Sequence, residues 1–490
     1  MVDSRTSLAS VLGLLLLLGC PKGPEPGPEP GPTGGGACHE GPLECDWGLG
    51  CHDGVCGSCE SADECHPYAG CRADGTCGEC DDSADCRQDE VCRHRQCMPA
   101  ALPVWELTVD PGLWASILDD PEHDTYIPCT LTVGDQVYEG ADLRLRGGST
   151  RSYPKPSLRI RFPEDAEHPG YSRKINLRAE YNDPSFLRTF LGLELFRRSV
   201  SLPTPRARYL ELFLNGEYLG LMLETERIGG KFLRLRGRDR DHSMYEAVDV
   251  DDEGALTPNH DEEEYRAIYE KSTGDPADYT DLVGLIEGTL HADHQDWMES
   301  GVPLLERTRD AVHLDTYLTY LALMAVLQSQ DHVTNNFYFS DQQAGGGEPR
   351  WEFYAADMDL TFGCRWDEAN DNSLCDEFAY DGWWMNGWIP ADVEIGSDPA
   401  WGNLLIHLVL QDPLLWPVYQ QEICGILAGE SWNEGIPDLI DAVHDTIASA
   451  AAADPSDLND GIEDLDAAQD EVRSFVVLRR AYLAEQLTCP

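Results

Sequence analysis

Apolar and polar residues alternate with period two through the first part of residues 103–490, then recur at helical spacing further on. Trp105-Glu-Leu-Thr-Val109, Cys129-Thr-Leu-Thr-Val133 and Ala141-Asp-Leu-Arg-Leu-Arg146 put apolar side chains on one face of an extended chain and predict strands. A glycine-containing turn, residues 146–151, leads into a further strand over 157–162. The pattern then becomes helical over 184–198. Asn215-Gly216 stands between two alternating runs, 209–214 and 217–223, and predicts a hairpin. An acidic stretch, 246–264, is read as flexible. Beyond it apolar residues mark helices at 311–328, 401–410, 436–451 and 465–487, interrupted by a hairpin of 336–340 and 351–357 around Gly345-Gly-Gly347. A sheet-rich part with one inserted helix, followed by a helix-rich part with a small hairpin, makes the class α+β.

The N-terminal pattern is different. Residues 8–18 form an apolar run of eleven, too short to span a bilayer as a mature helix, and end in Leu17-Leu-Gly-Cys20. That ending predicts a lipoprotein signal over residues 1–20, with Cys20 acylated. The chain is then exported and held at a membrane through its lipid anchor. A Pro/Gly-rich linker occupies 21–37 and cannot pack a core.

Eighteen cysteines are present, and twelve fall within residues 38–98. They repeat as four cysteines five or six residues apart and then a two-residue gap, giving three units of about 21 residues. Cys56-Gly-Ser-Cys59 and Cys77-Gly-Glu-Cys80 have zinc-ribbon spacing, but a ribbon uses four of the twelve. An exported module with so few large apolar residues is read as a disulfide framework of six bridges, serving as a rigid stalk or adhesive unit. Of the others, Cys364 and Cys375 could bridge, as could Cys424 and Cys489, which leaves Cys129 over.

Charge narrows the partners. Thirty-five Lys and Arg oppose 89 Asp and Glu, a formal charge of −54, so nucleic acid is excluded as a partner by repulsion. Only five of the cations are lysines (Lys22, Lys155, Lys174, Lys231 and Lys271), so chemistry that needs a lysine has few candidates.

Candidate chemistry lies in the second half. Asp331-His-Val-Thr-Asn-Asn336 places an Asn five residues after an Asp, the spacing of a kinase catalytic loop. Asp357-Met-Asp359 follows at a strand end across a hairpin, where hard carboxylate oxygens suit Mg²⁺ and phosphate. His332 is read as a structural hydrogen-bonding group. The aromatic run Trp383-Trp-Met-Asn-Gly-Trp388 is read as packing or a lid. The acids Asp367, Glu368, Asp371, Asp376 and Glu377 are read as a solvated loop.

Leu143-Arg-Leu-Arg-Gly-Gly-Ser-Thr-Arg151 with Lys155, Tyr181-Asn-Asp-Pro-Ser-Phe-Leu-Arg188 and Leu212–Arg227 resemble the spore-coat protein H (CotH) kinase family. So do Asn335-Asn-Phe-Tyr-Phe339 and Asp357-Met-Asp-Leu-Thr-Phe-Gly363. The resemblance covers most of residues 104–485. It implies a two-lobed, atypical protein-kinase-like domain that transfers phosphate from ATP, with Mg²⁺ or Mn²⁺, to Ser or Thr of a secreted or surface protein. By motif, it implies Asp331 as catalytic Asp, Asn336, Asp357 and Asp359 as metal ligands, and Lys155 as phosphate-binding Lys with Glu194 as its helix partner. Arg146, Arg151 and Glu224 are implied as further nucleotide contacts, with Glu224–Arg227 at the hinge that meets adenine. The chain departs from the family pattern at Gly148, where Asn is usual, at Pro156 beside the lone Lys155, and at Ala356, where Trp is common. A kinase-fold module that binds without catalysis is the alternative those departures raise.

Overall fold

The computed structural model describes residues 37–490 apart from 39–40, 123, 165, 167–172, 200–201, 249–253, 259, 303–304, 330, 343–349, 368–371, 375–402, 456–464, 488 and 490. The predicted signal, Cys20, most of the linker, the aromatic run 383–388 and most of the acidic loop lie outside the described residues. No helix among the described residues is long and apolar enough to cross a membrane.

Each cysteine repeat forms a short 3-10 turn followed by a two-stranded hairpin. Within each unit the first cysteine bonds the third and the second bonds the fourth: Cys38–Cys51 and Cys45–Cys56, Cys59–Cys71 and Cys65–Cys77, Cys80–Cys92 and Cys86–Cys97. The two Cys-x-x-Cys pairs therefore straddle unit boundaries, and their thiols are committed to bridges rather than zinc. Cys424–Cys489 is also formed, Cys364 is disulfide-bonded, and Cys129 is free and buried.

The sheet of the first half closes on itself. Strands β1 (Val104–Val109), β2 (Ile127–Val133), β3 (Gln136–Leu145), β4 (Leu158–Arg161), β5 (Lys174–Arg178), β6 (Ala207–Leu214) and β7 (Glu217–Glu226) form a closed barrel in the order β4-β5-β7-β6-β1-β2-β3. All pairs are antiparallel except β1 with β6. Alternation fills the interior with Trp105, Leu107, Leu143, Leu158, Ile175 and Leu212, and turns Arg144, Arg159, Arg161, Asn176 and Arg178 outward. Closure removes the open edges that a flat sheet would carry.

Helix α1 (Pro111–Asp119) bridges β1 and β2, capped by Asp110, whose side chain accepts from Gly112 and Leu113. Helix α2 (Arg188–Ser199) follows β5 and is buried over most of its length. A second sheet, ordered β9-β8-β10-β11, comprises β8 (Met244–Ala247), β9 (Tyr269–Thr273), β10 (Phe337–Gln342) and β11 (Arg350–Ala355). The buried α3 (Leu314–Leu327) packs on α5 (Leu415–Ala428) and α7 (Leu465–Leu487), with α4 (Leu404–Gln411) against α5 and α6 (Ile436–Ala452) against α7, in one core. The acidic stretch is structured at its ends, by β8 and by a helix at Glu262–Ile268 capped by Asp261.

The cysteine module is not a free stalk. Tyr68 sits edge-on to Phe190 of α2 at 5.1 Å and donates its hydroxyl to the Ala207 carbonyl at 2.6 Å, and Met98 joins the same core. Arg198 of α2 donates to Gln96 at 2.7 Å, and Arg95 reaches Glu430 and Glu434 at 3.2 and 3.1 Å. The module thus braces the outer side of α2, whose other side faces the cleft described next.

Candidate functional site

A shallow, open cleft lies between the outer face of β5 and β7 and the ends of β8 and β10. Arg146, Arg178 and Asn176 form its roof, Glu246, Asn336 and Asp357 its floor, and Thr189 and Leu193 of α2 its back.

Local sequence explains the floor. Asn336 and Asp357 stand at the two ends of the β10–β11 hairpin, both at left-handed φ (56° and 50°). Non-glycine residues rarely adopt this conformation, and Asn and Asp tolerate it best, so the hairpin ends turn sharply into the cleft. Gly192 of α2 lets the helix lie directly on Met358: a Cβ there would stand 2.8 Å from the Met358 Cβ. Asp357 and Asp359 flank that anchored methionine.

The two carboxylates share one cation. Arg178 bonds Asp357 through Nη1, approaches Asp359 at 3.4 Å through Nη2, and donates Nε to Glu180 at 2.6 Å. Arg146 stands 3.7 Å from the other oxygen of Asp357. Burial pushes the Asp357 carboxyl up, but the guanidinium groups of Arg178 and Arg146 overcome it and hold it down at about 2. Asp357 is therefore an anion at any physiological pH. Burial pushes the Glu246 carboxyl up in the same cleft, against the hydroxyl of Tyr338 that donates to it.

Asp331 opens the 3-10 turn Asp331–Val333, and its side chain lies outside the described residues. The turn is tied to the floor by its neighbour. Nε2 of the buried His332 donates to the carbonyl of Ala356, and Nδ1 accepts from Ser329 at 2.5 Å. Burial lowers the His332 pKa to about 4, so it stays a neutral tether rather than an acid. Asn403 caps α4 and donates to the Val333 carbonyl at 2.9 Å, fixing the same turn from the other side.

The expected lysine stands elsewhere. Lys155 is buried against α6, where Nζ bonds Asp454 at 2.6 Å and the Leu221 carbonyl at 2.7 Å. Gly220 leaves the room, since a Cβ there would be 2.5 Å from Asp454. Glu194 corrects the implied pairing as well: it bonds Arg197 and lies 3.6 Å from Arg198, one turn along its own helix, and not Lys155. Arg151 is held by Asp124 at 2.8 Å and by the Gly147 carbonyl, away from Asp357. Glu224 pairs with Arg208 at the barrel's end, whereas its neighbours Thr225 and Glu226 line the cleft. The structure thus brings together Arg146, Asn336, Asp357 and Asp359. It adds Arg178, Glu180 and Glu246, which sequence reasoning missed. Arg178 and Glu180 lie between two quoted motifs, in an apolar–polar alternation that could have marked them as an outward-facing strand end.

Whether a divalent cation suits the floor is answered by the donors. Two carboxylates converge on a single guanidinium, beside a carboxamide, and such hard oxygen donors fit Mg²⁺ or Mn²⁺.

A family profile described as CotH kinase protein matches residues 143–483, a span that contains every one of these cleft residues. The chain belongs to the CotH kinase protein family. It is also similar to the inner spore coat protein H of Bacillus subtilis (strain 168), with 25% identity over 393 residues, covering 79% of this chain and 98% of that protein.

Proposed function

We propose that this CotH-family chain is an atypical protein kinase that transfers the γ-phosphate of ATP to Ser or Thr of a secreted or surface protein, with Mg²⁺ or Mn²⁺. The observation that carries the reading is the convergence of Asp357 and Asp359 beside Asn336 at the mouth of a cleft roofed by arginines. Asn336, Asp357 and Asp359 would hold the metal, which neutralises charge on the phosphates when bound. Arg178 keeps the Asp357 carboxylate ionised and aimed, and Met358 under α2 fixes where both carboxylates stand. His332 and Asn403 set the turn that carries Asp331, the residue assigned to orient the acceptor hydroxyl. Thr225, Glu226 and Ile228 form the wall assigned to the nucleoside. The barrel and the helix-rich part play the two lobes of a kinase-like plan, with α2 between them. A proposed export signal ending at Cys20, and similarity to a spore-coat protein, support an acceptor outside the cytoplasm.

The pair Asp331→Ala and Asp357→Ala tests the roles. Loss of transfer in both is expected, with nucleotide binding retained in the first and lost in the second. Metal-dependent ATP binding that survives Asp357→Ala unchanged contradicts the assignment.

A further inference from the structure

Next to the roof of the cleft, the outer face of the barrel carries more positive charge than its own carboxylates use, and Arg159 joins the roof through Asn176. On the outer face of the barrel, β3, β4 and β5 place cations in register: Arg159 lies directly opposite Arg144 on one side and Asn176 on the other, and Arg161 lies opposite Lys174. Successive rows are about 6.7 Å apart, two residues along a strand. Like charges directly opposite each other in a sheet are destabilising. Several of these groups are satisfied, Arg161 by Asp142 at 2.6 Å and Arg144 by Asp124.

Arg159 is not. It is largely buried, its hydrogen bond is to the neutral amide of Asn176 at 3.0 Å, and no carboxylate among the described residues lies within ion-pair distance. Burial, and then the neighbouring Arg146, Arg144 and Arg227, push its pKa down to about 10. Lys174 is depressed by burial and then by Arg227, Arg159, Arg161 and Arg144. A buried charge is ordinarily paired, and one crowded by its own kind in a chain of net charge −54 stands where a counter-ion is to come from outside. The groups facing it from the second sheet are Tyr338 and Glu246, whose carboxyl is itself pushed up by burial.

We propose that Arg159, flanked by Arg146 and Arg227, is an oxyanion cradle that binds the phosphate chain of the nucleotide, the part that the resemblance implies for Lys155. The proposal rests on the nucleotide reading above. Guanidinium groups suit it, because they donate several charge-assisted hydrogen bonds in a fixed plane.

Inorganic tripolyphosphate, added to the full chain without metal, tests the cradle apart from adenine, metal and turnover. Wild type should bind it saturably by calorimetry and be stabilised in thermal melts. Arg159→Gln should weaken that affinity about tenfold or more. The variant should also melt higher than wild type when no anion is present, since a crowded charge has been removed. Arg159→Lys should retain most of the binding. A purely structural arginine gives the opposite pattern: Arg159→Gln melts lower and binds tripolyphosphate like wild type, and the proposal is overturned. A second arm uses an aspartate-rich peptide. If the peptide displaces tripolyphosphate and binds at least as tightly, the roof holds a carboxylate partner and the phosphate assignment fails. ATP affinity unchanged in Arg159→Gln leaves the nucleotide reading standing and sinks only the cradle.

Discussion

Replacing Lys155 by Met should unfold the domain more easily and leave the cleft's hold on phosphate unchanged. A kinase-type lysine would do the reverse. Lys155 is 2% exposed, and its ammonium bonds Asp454 at 2.6 Å and the Leu221 carbonyl at 2.7 Å over the ring of Phe186. Asp454 also accepts the Leu221 amide at 2.8 Å, and its side chain is 1% exposed. Methionine keeps the stem's packing but strands the carboxylate in an apolar site. Breaking a buried pair from one side costs about 3–5 kcal/mol. For a unit of roughly 390 residues, an unfolding entropy near 2 cal/mol/K per residue turns that into a fall of about 4–6 °C in melting temperature. Replacing both partners, with Lys155→Met and Asp454→Leu together, should recover most of the loss, because no uncompensated charge then remains. Circular-dichroism melts of the three variants, with tripolyphosphate titrations beside them, make the comparison. The reasoning is refuted if Lys155→Met melts like wild type and loses phosphate affinity more than tenfold.

Acid should destabilise the protein well above the range of its carboxylates. Burial lowers the pKa of His66, His332 and His407 to about 4 each, so between about pH 6.5 and 4 the unfolded chain takes up protons that the folded one refuses. Stability should fall as pH drops through that window and level off with respect to these groups below it; denaturant melts at pH 7.5, 5.5 and 4.5 that agree within error contradict this. The depressed Asp357 adds a second loss as pH falls from about 4 towards 2. Gly192→Ala should cost about 1–3 kcal/mol by overpacking against Met358 and should weaken metal-dependent nucleotide binding with it. A variant that loses stability but binds nucleotide as before uncouples α2 from the floor.

The strand pattern was readable where it is local. Asn215-Gly216 makes the β6–β7 turn, and inward alternation along 141–146 and 157–162 fills the barrel. Closure was not readable, because it depends on β1 lying parallel to β6 across about a hundred residues, a pairing no local pattern encodes. Strand β5 was not read although Lys174-Ile-Asn-Leu-Arg178 alternates, and with it went Arg178, whose partner Asp357 is 179 residues away. Helix α5, which carries a proline in its first turn where proline is tolerated, was not among the helices read from the pattern. Glu246 opens the acidic stretch read as flexible, whereas it pairs with Tyr338 in a strand and burial raises its pKa. The motif positions Asn336, Asp357 and Asp359 were legible because a hairpin of ordinary length brings its own ends together. Lys155 and Glu194 were misplaced for the converse reason: which face of a barrel or helix meets the cleft is fixed by tertiary packing, and here Asp454 and Arg197 claim them first.

Calorimetric titration of ATP into the wild-type chain, with and without excess Mg²⁺ or Mn²⁺, tests the central claim most directly. The cleft geometry predicts saturable binding of one nucleotide that depends on the metal and is lost in Asp357→Ala. Absence of binding by folded wild-type protein in either metal contradicts the kinase assignment.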